Sequence, residues 1–253
     1  AHETTSSVAY PKSVSEKRIE NKQPIVKHPK TDGSTLLVNE IFYSIQGEGP
    51  FSGCPAIFVR MQGCNLRCFW CDTEYTKGHE WEVTDLFDEI IELYLRNGSN
   101  PIVVITGGEP MLQNLNMLLE LLAGFGITVQ IETNGTAVPD DFPWRNENLH
   151  IVVSPKTGKL HKNLDLYAVS AWKYVLDINT ERSVHDSLPI MSTQAPNVKI
   201  ELARAPAGFP VNQIYVSPMD NLNLKDNMKL CAEVAMKRGY VVSLQTHKIL
   251  EVE

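Results

Sequence analysis

Short apolar runs recur along this chain from Leu36 onward, and they alternate with segments whose apolar residues are spaced three or four positions apart. Runs of this length and composition are typical of strands. The predicted strands are 56–61, 102–106, 127–132, 150–153, 174–178, 213–216 and 240–244. Helix-like segments lie between several of these strands.

The clearest helical segment begins near Thr84, a residue type that caps helix N-termini. Apolar residues then recur at helical spacing from Leu86 to Tyr94, until Asn97 and Gly98 end the helix. The same spacing predicts two further helices, 111–123 and 222–238.

This alternation predicts an α/β fold with mostly parallel strands, either a barrel or an open wound sheet. In such folds, functional residues gather at the carboxyl ends of the strands. Residues 1–34 differ, because they are rich in Ser, Thr, Lys, Glu and Pro and their apolar residues are scattered. We therefore predict a flexible N-terminal extension over 1–34 and one domain over 35–253, with a loop over 136–148.

Composition narrows the class of protein. The chain is 43% hydrophobic and 21% charged, which is typical of a globular protein with a sizeable core. No apolar run approaches the roughly 18–20 residues that span a bilayer. The net charge of −7 does not indicate nucleic-acid binding, so a small-molecule substrate is the better expectation. An odd number of cysteines without a signal peptide indicates a reducing, cytoplasmic compartment.

Three of the five cysteines, Cys64, Cys68 and Cys71, form a C-x3-C-x2-C pattern after a predicted strand. Three thiolates on one loop can hold three irons of a [4Fe–4S] cluster and leave the fourth iron open to a small molecule. The alternative is a structural zinc site, with Cys54 or Cys231 as the fourth ligand. The spacing favours the cluster, because zinc loops usually contain two C-x2-C pairs and this loop has one.

Polar residues also follow other predicted strands. Gly107 and Gly108 permit a turn and the close approach of a ligand to the main chain, and Pro110 suits the first turn of a helix. Further strand ends carry the segments 132–135, 154–156 and 217–220. Each segment alone is typical of turn chemistry. Their shared position at one rim predicts a cofactor-binding cradle.

A glycine-rich segment, 44–50, precedes the first predicted strand and contains Gln46 and Glu48, while Arg60 lies on that strand. An amide, a carboxylate and a guanidinium together suit a planar, hydrogen-bonding heterocycle that bears a carboxylate. The alternative is a glycine-rich hairpin with a surface salt bridge.

Together these motifs resemble those of the 7-carboxy-7-deazaguanine synthases, a family of radical S-adenosylmethionine (radical SAM) enzymes. The resemblance covers essentially residues 36–250. The segments that carry it are 45–49, 56–60, 63–73, 104–110, 154–156, 217–220 and 245–248.

The resemblance implies a partial, modified (β/α) barrel and a ring-contracting lyase of the queuosine-precursor pathway. The implied reaction converts 6-carboxy-5,6,7,8-tetrahydropterin to 7-carboxy-7-deazaguanine with loss of ammonia. It also implies a [4Fe–4S] cluster, SAM and Mg²⁺ as cofactors, flavodoxin or ferredoxin as electron donor, and a homodimer.

Individual roles follow from the resemblance as well. Cluster ligands would be Cys64, Cys68 and Cys71, and Thr73 would bind Mg²⁺. The pterin would contact Ile45, Gln46, Gly47, Glu48, Arg60, Thr106 and His247. SAM would contact Trp70, Cys71, Asp72, Gly108, Ser154, Pro155, Lys156, Ser217, Pro218, Met219 and Asp220.

Two other functions stay open at this point. One is a radical SAM activase that installs a glycyl radical on a partner protein, for which Gln46, Glu48 and Arg60 would have no obvious purpose. The other is a non-catalytic module stabilised by zinc. The resemblance also leaves open whether Glu253 brings a terminal carboxylate to the substrate.

Overall fold

The computed structural model describes residues 21–26 and 31–252, and a sheet forms the centre of this part of the chain. Its strands are β1 (Thr35–Ile45), β2 (Pro55–Met61), β3 (His79–Glu82), β4 (Ile102–Gly107), β5 (Val129–Thr133), β6 (Leu149–Val153), β7 (Val169–Leu176), β8 (Ile214–Pro218) and β9 (Val241–Val242). The order is β3-β1-β2-β4-β5-β6-β7-β8-β9. Pairing is parallel from β2 to β9, whereas β1 is antiparallel to β2 and β3. The sheet is open between β3 and β9, which confirms a partial barrel.

The described α-helices are fewer than the strands. They are α1 (Val83–Asn97), α2 (Asn116–Gly124), α3 (Leu224–Arg238) and the short α4 (Thr246–Leu250). Helix α1 leads into β4, α2 connects β4 to β5, and α3 connects β8 to β9. The connections from β5 through to β8 are built without an α-helix. The predicted loop 136–148 is one of them and is confirmed.

Helix α1 shows how the sequence sets the local structure. Leu86 and Ile90 are fully buried, and they recur at the spacing that places them on one face. Gly98 ends the helix in the left-handed conformation, and its N–H donates to the carbonyl of Tyr94. Thr84 lies inside the helix and Glu82 is the N-cap residue, so the predicted cap was wrong by two positions.

Three predicted elements were wrong at their boundaries. The strand expected over 174–178 is β7, which begins at Val169 and ends at Leu176. The strand expected over 240–244 reduces to the two residues of β9. The helix expected over 111–123 begins at Asn116, because Pro110–Leu112 forms a 3-10 turn first. The antiparallel strands β1 and β3 were not predicted.

The larger of two apolar clusters among the described residues joins the sheet to the helices. Trp172 of β7 and Ile105 of β4 are fully buried, and Leu118 of α2 packs in the same cluster. Full burial of a side chain of this size stabilises the fold by about 1.5–3 kcal/mol. The core therefore fixes the strands whose carboxyl ends form the site.

Two predictions concern the chain beyond the sheet. Most of the predicted extension 1–34, and the residue Glu253, lie outside the described residues, so the domain boundary stays a prediction. Within 21–26 and 31–252, no helix combines the length and the apolar character that crossing a membrane requires.

Candidate active site

The carboxyl ends of the parallel strands open onto a cavity of about 290 Å³, here called the main cavity. It is lined by Phe42, Gln46, Glu48, Phe58, Arg60, Asp72, Thr73, Thr106, Glu132, Gln245, His247 and Lys248. Most residues predicted to hold the substrate or Mg²⁺ therefore meet at one place. Ile45 and Gly47 are next to the lining in sequence and do not themselves line the cavity.

Buried charges form the floor of the main cavity. Lys173 of β7 is 7% exposed, and its ammonium donates to the carboxylates of Glu48 and, at 3.1 Å, Glu132. Glu132 also accepts hydrogen bonds of 3.0 Å from the amides of Gln46 and Gln130. The two carboxylates and one ammonium leave this cluster with a net negative charge.

The pKa values of this cluster favour its charged state. Burial alone would raise the pKa of Glu48, but the Lys173 ammonium lowers it. Burial alone would likewise lower the pKa of Lys173, and Glu132 and Glu48 raise it. At neutral pH Glu48 therefore presents ionised carboxylate oxygens, which accept hydrogen bonds from N–H groups.

Arg60 lies on the opposite wall of the main cavity. Its guanidinium pairs with Glu40, its cross-strand neighbour on β1, and lies 5.1 Å from the centre of the Phe42 ring. Thr106 is its neighbour on β4. The wall thus combines a fixed cation with an aromatic face, a combination that suits a planar, anionic molecule.

Helix α4 closes the cavity from the side. The Thr246 N–H donates to the carbonyl of Gly47 at 3.2 Å. A Cβ atom on Gly47 would lie 1.9 Å from Nδ1 of His247, so this position needs glycine. Burial lowers the pKa of His247, so that its imidazole is neutral at pH 7.

Lys248 joins two loops at the mouth of the main cavity. Its ammonium lies 3.1 Å from the carboxylate of Asp72 and 2.6 Å from that of Asp220. Both aspartates were predicted to contact SAM. In this structure both carboxylates pair with Lys248, which ties the cysteine loop to the loop after β8.

The three cysteines lie together on the loop after β2. Cys64 and Cys68 are buried and Cys71 is half-buried. Burial raises the pKa of Cys64 to about 12 and also raises that of Cys71, because a thiolate loses hydration there. A positive metal centre removes this penalty, so the buried thiols fit an iron–sulfur cluster.

A segment from the predicted extension packs on this loop. Asn21 is buried, and its side-chain amide donates to the carbonyl of Cys68 at 3.1 Å. Gln23 donates to the carbonyl of Thr73 at 2.8 Å and accepts from the N–H of Tyr75 at 2.9 Å. Residues 21–26 are therefore part of the site's framework.

Zinc is a poor fit to the described residues. Cys54 and Cys64 lie at opposite ends of β2, about 20 Å apart for a strand of this length. Cys231 is fully buried in α3. Among residues 21–26 and 31–252, no three His, Cys, Asp or Glu side chains are placed to hold a single metal ion.

A smaller cavity of about 50 Å³ adjoins the cysteine loop at Phe69 and Trp70. Its lining includes four residues predicted to contact SAM: Trp70, Pro155, Lys156 and Met219. The Lys156 ammonium lies 5.6 Å from the centre of the Trp70 ring and donates to Ser154. Burial lowers the pKa of Lys156.

Ser217, near the end of β8, is predicted to contact SAM, and its hydrogen bonding supports a ligand at this position. It is 2% exposed, and its hydroxyl makes no hydrogen bond to any described residue. Buried polar groups without a partner are rare, so a polar ligand group is expected at this position. Pro218 follows it as the last residue of β8 and lies outside both cavity linings.

Gly108 lies where the turn after β4 meets the cysteine loop. A Cβ atom here would lie 1.9 Å from the carbonyl oxygen of Gly63. The next residue, Glu109, donates its N–H to the same carbonyl at 2.9 Å. This contact places a glycine-rich turn directly beside Cys64.

Comparison with known proteins identifies the family. Residues 58–144 of the chain match the sequence pattern of the Radical SAM superfamily. A 7-carboxy-7-deazaguanine synthase of Rhodospirillum rubrum is 40% identical over 231 residues, which cover 87% of this chain and 94% of the relative. The chain belongs to the 7-carboxy-7-deazaguanine synthase family.

Other members of the synthase family agree. The Escherichia coli K12 synthase is 30% identical over 234 residues, which cover 85% of this chain and 98% of the relative. The crystal structure of QueE from Escherichia coli superposes with a TM-score of 0.57 at 26% identity, covering 83% of this chain and 93% of that one. Because the chain belongs to the radical SAM superfamily, its cofactors include a [4Fe–4S] cluster and SAM. Neither the glycyl-radical activase nor the zinc module is favoured by these relatives.

Sequence reasoning missed several residues of the site. Lys173 was overlooked because the predicted strand began at residue 174, one position after it. The signal that could have found it is a lysine within a buried strand, because such a lysine requires a counter-charge. Lys248 lies in the segment 245–248, which carries the family resemblance, but no role was predicted for it. Asn21 and Gln23 lie in a segment whose composition indicates flexibility, so no signal pointed to them.

Proposed function

We propose that this synthase family member converts 6-carboxy-5,6,7,8-tetrahydropterin to 7-carboxy-7-deazaguanine with loss of ammonia. The observation that carries the proposal is the meeting of Gln46, Glu48 and Arg60 in one cavity beside the cysteine loop. A pterin presents an N–H-rich edge at one end and a carboxylate at the other. The main cavity offers acceptors on its floor and a cation on its wall.

The N–H-rich edge of the pterin binds at the carboxylates. Glu48 and Glu132 are held in place by Lys173, so their oxygens are already oriented before the substrate arrives. The amide of Gln46 donates to Glu132 and its oxygen accepts from the N–H of Glu48 at 3.2 Å. Fixed acceptors orient the ring and exclude water, which is the protein's share of the catalysis.

The substrate carboxylate binds on the side of Arg60, Thr73 and His247. A guanidinium has five N–H donors, so the pair with Glu40 leaves donors for a second carboxylate. We assign Mg²⁺ to Thr73, because this ion prefers oxygen ligands and takes few of them from protein. His247 is neutral at pH 7 and can offer both a donor and an acceptor.

Cys64, Cys68 and Cys71 are assigned to the cluster. SAM is assigned to the cysteine loop and the neighbouring strand ends, with contacts from Trp70, Cys71, Asp72, Gly108, Ser154, Pro155, Lys156, Ser217, Pro218, Met219 and Asp220. When bound, the cluster and SAM supply the electron and the carbon radical that begin the reaction. The side chains position the substrate for hydrogen abstraction.

The resemblance supports three further parts of the proposal. The electron donor is a flavodoxin or ferredoxin, the enzyme is a homodimer, and it works in the cytoplasm. The product then enters a 7-deazapurine pathway such as that of queuosine.

The test is anaerobic turnover after cluster reconstitution. The loaded enzyme receives dithionite, SAM, Mg²⁺ and 6-carboxytetrahydropterin, and mass spectrometry looks for 7-carboxy-7-deazaguanine. We expect product with the native chain and with the control Cys54→Ala, and none with Cys68→Ala. Formation of 5′-deoxyadenosine without the deazaguanine would show that the substrate is wrong. Absence of bound iron would contradict the cluster assignment.

Arg60→Ala tests the pocket itself. This variant should lose pterin turnover while its cluster keeps the visible absorption of the native enzyme. Arg96→Ala, on the exposed face of α1, is the matched control and should turn over normally. Normal turnover by Arg60→Ala would remove Arg60 from the substrate site.

A further inference from the structure

A loop far from the cysteines in sequence contacts the sulfur of Cys68. The side-chain nitrogen Nε2 of Gln194 lies 3.1 Å from Sγ of Cys68. We infer that Gln194 donates a hydrogen bond to the Cys68 thiolate in the loaded enzyme and raises the reduction potential of the cluster. This inference rests on the proposed ligation of the cluster by Cys68.

The orientation of the Gln194 amide is set by a backbone group. Its oxygen Oε1 accepts from the N–H of Arg67 at 2.7 Å. Since that N–H can only donate, the amide oxygen must face it, and the NH₂ group must face Cys68 and Thr193. The second N–H is directed at the hydroxyl of Thr193, 2.7 Å away.

Thr193 also lies next to the Cys68 sulfur, but it does not donate a hydrogen bond to it. Its hydroxyl donates to the carbonyl of Lys156 at 2.9 Å and lies 3.2 Å from Sγ of Cys68 as an acceptor from the thiol. A thiolate has no proton to give, so this contact loses its hydrogen bond when Cys68 binds iron. The amide of Gln194 is then the side-chain donor to this sulfur among the described residues.

Hydrogen bonds within the loop 192–195, and from this loop to the cysteine loop, hold Gln194 beside Cys68. The Thr193 carbonyl accepts from the N–H of Phe69 at 3.0 Å, which fixes the loop to the cysteine loop. The hydroxyl of Ser192 accepts from the N–H groups of Gln194 at 3.1 Å and Ala195 at 3.2 Å. Ser192 and Thr193 are buried. A donor held this way loses little entropy when the cluster is present.

The expected effect follows from charge. Reduction adds an electron to the cluster, and part of that charge resides on its sulfur ligands. A hydrogen-bond donor at a ligand sulfur therefore stabilises the reduced form more than the oxidised form. The effect is larger where the surroundings are buried, as they are at Cys68.

The experiment replaces Gln194 with Met, which has a similar length and no N–H donor. Reconstituted Gln194→Met is titrated with reductant, and the reduced cluster is quantified by electron paramagnetic resonance (EPR). At the native midpoint potential we expect a several-fold fall in the ratio of reduced to oxidised cluster. A tenfold fall corresponds to about 59 mV for a one-electron couple. The control is Gln213→Met, at an exposed position before β8, which should leave the ratio unchanged.

A spectroscopic measurement separates donation from a merely structural role. Glutamine labelled with ¹⁵N in its side chain should give a pulsed-EPR coupling to the reduced cluster of the native enzyme, and Gln194→Met should lose it. An unchanged potential in Gln194→Met, or no such coupling in the native enzyme, would overturn the inference. Iron content is measured on every sample, so failure of Cys68 as a ligand is recognised separately as missing iron.

Discussion

The carboxylate of Glu109 accepts a hydrogen bond of 2.7 Å from the backbone N–H of Asn134. The same carboxylate accepts from the Thr133 hydroxyl at 2.6 Å and from the N–H of Met111 at 3.0 Å. Glu109 is fully buried, so it ties the turn after β4 to the turn after β5 and does not face a ligand. A motif that resembles a cofactor contact thus includes a structural carboxylate.

Replacing Glu109 with Gln should destabilise the enzyme. The new NH₂ group would face one of the N–H or O–H donors that the carboxylate now accepts from. Two donors cannot bond to each other, so one buried donor is left unsatisfied, which lowers the free energy of unfolding by about 1–3 kcal/mol. Burial raises the pKa of Glu109 to about 7, and the three donors oppose that shift. We expect the anaerobic Tm to fall by on the order of 5 °C. Glu120→Gln, exposed on α2, should change the Tm little; an equal fall in both would contradict this role.

Gly108→Ala should disturb the cysteine loop. Its Cβ would lie 1.9 Å from the Gly63 carbonyl oxygen, and backbone on both sides leaves no flexible side chain to move away. We expect at least a several-fold loss of bound iron and weaker SAM binding, measured by iron assay and calorimetry. Gly124→Ala is the control, because no atom lies within 4 Å of its new methyl group. Normal iron content in Gly108→Ala would show that the turn relaxes without harm.

Lys173→Met removes the buried cation between two half-buried carboxylates, those of Glu48 and Glu132. Breaking such a pair leaves uncompensated charge and typically destabilises by about 3–5 kcal/mol. We expect the Tm to fall by roughly 10 °C. Adding Glu132→Gln should recover part of this loss, because one of the two negative charges is then absent. Lys225→Met, exposed on α3, serves as control; a double variant less stable than Lys173→Met alone would argue against charge as the cause.

Gln23→Ala tests whether residues 21–26 hold the cysteine loop. The variant loses the hydrogen bonds of this side chain to the Thr73 carbonyl and from the Tyr75 N–H, worth together about 1–2 kcal/mol, as well as a longer one of 3.3 Å to the Asn21 side chain. The Tyr75 amide should then exchange with solvent faster, as measured by hydrogen–deuterium exchange. Lys22→Ala, an exposed neighbour, should keep the native rate. Equal protection in both variants would show that the segment does not restrain the loop.

The half-buried imidazole of His247 makes stability depend on pH. Burial lowers its pKa below the ordinary 6.5, opposed by the negative charges of Glu48, Asp72 and Glu132 and aided by Lys248. Below about pH 6.5 the unfolded chain therefore takes up a proton more readily than the folded enzyme, and stability is lost as the pH falls. His247→Gln should show a smaller fall in Tm between pH 7.5 and 5.5. The exposed control His185→Gln should keep the native slope.

The sequence predicts the parallel part of the sheet well, because buried strands such as β2 and β4 each contain a continuous run of four apolar residues, 56–59 and 102–105. Strand β1 escaped prediction because Asn39 and Glu40 interrupt its apolar residues at a bulge. The predicted start of β7 was too late because Lys173, a buried cation whose partners come from the loop after β1 and from β5, looks like a residue outside a strand.

Position after a predicted strand pointed to only part of the candidate site. The cysteines were predicted on that basis, whereas the substrate-binding set rested on the resemblance, because residues 45–48 precede the first predicted strand and Arg60 lies on it. Gln194 is 126 residues from Cys68 in sequence and lies in a connection without helix or strand, so no periodicity marks it. Such contacts depend on how the chain returns to the sheet, which a local pattern does not encode.

The contacts of α4 with the loop after β1 have a consequence for how the enzyme is made. The Thr246 hydroxyl and the Gly47 carbonyl are 199 residues apart, and the Ser243 hydroxyl and the Gly49 N–H are 194 apart. During synthesis the cysteine loop and most of the sheet emerge from the ribosome long before α4 does. Contacts this distant in sequence also form late and slowly in folding. A nascent chain can therefore acquire its metal-binding loop well before it has a substrate pocket.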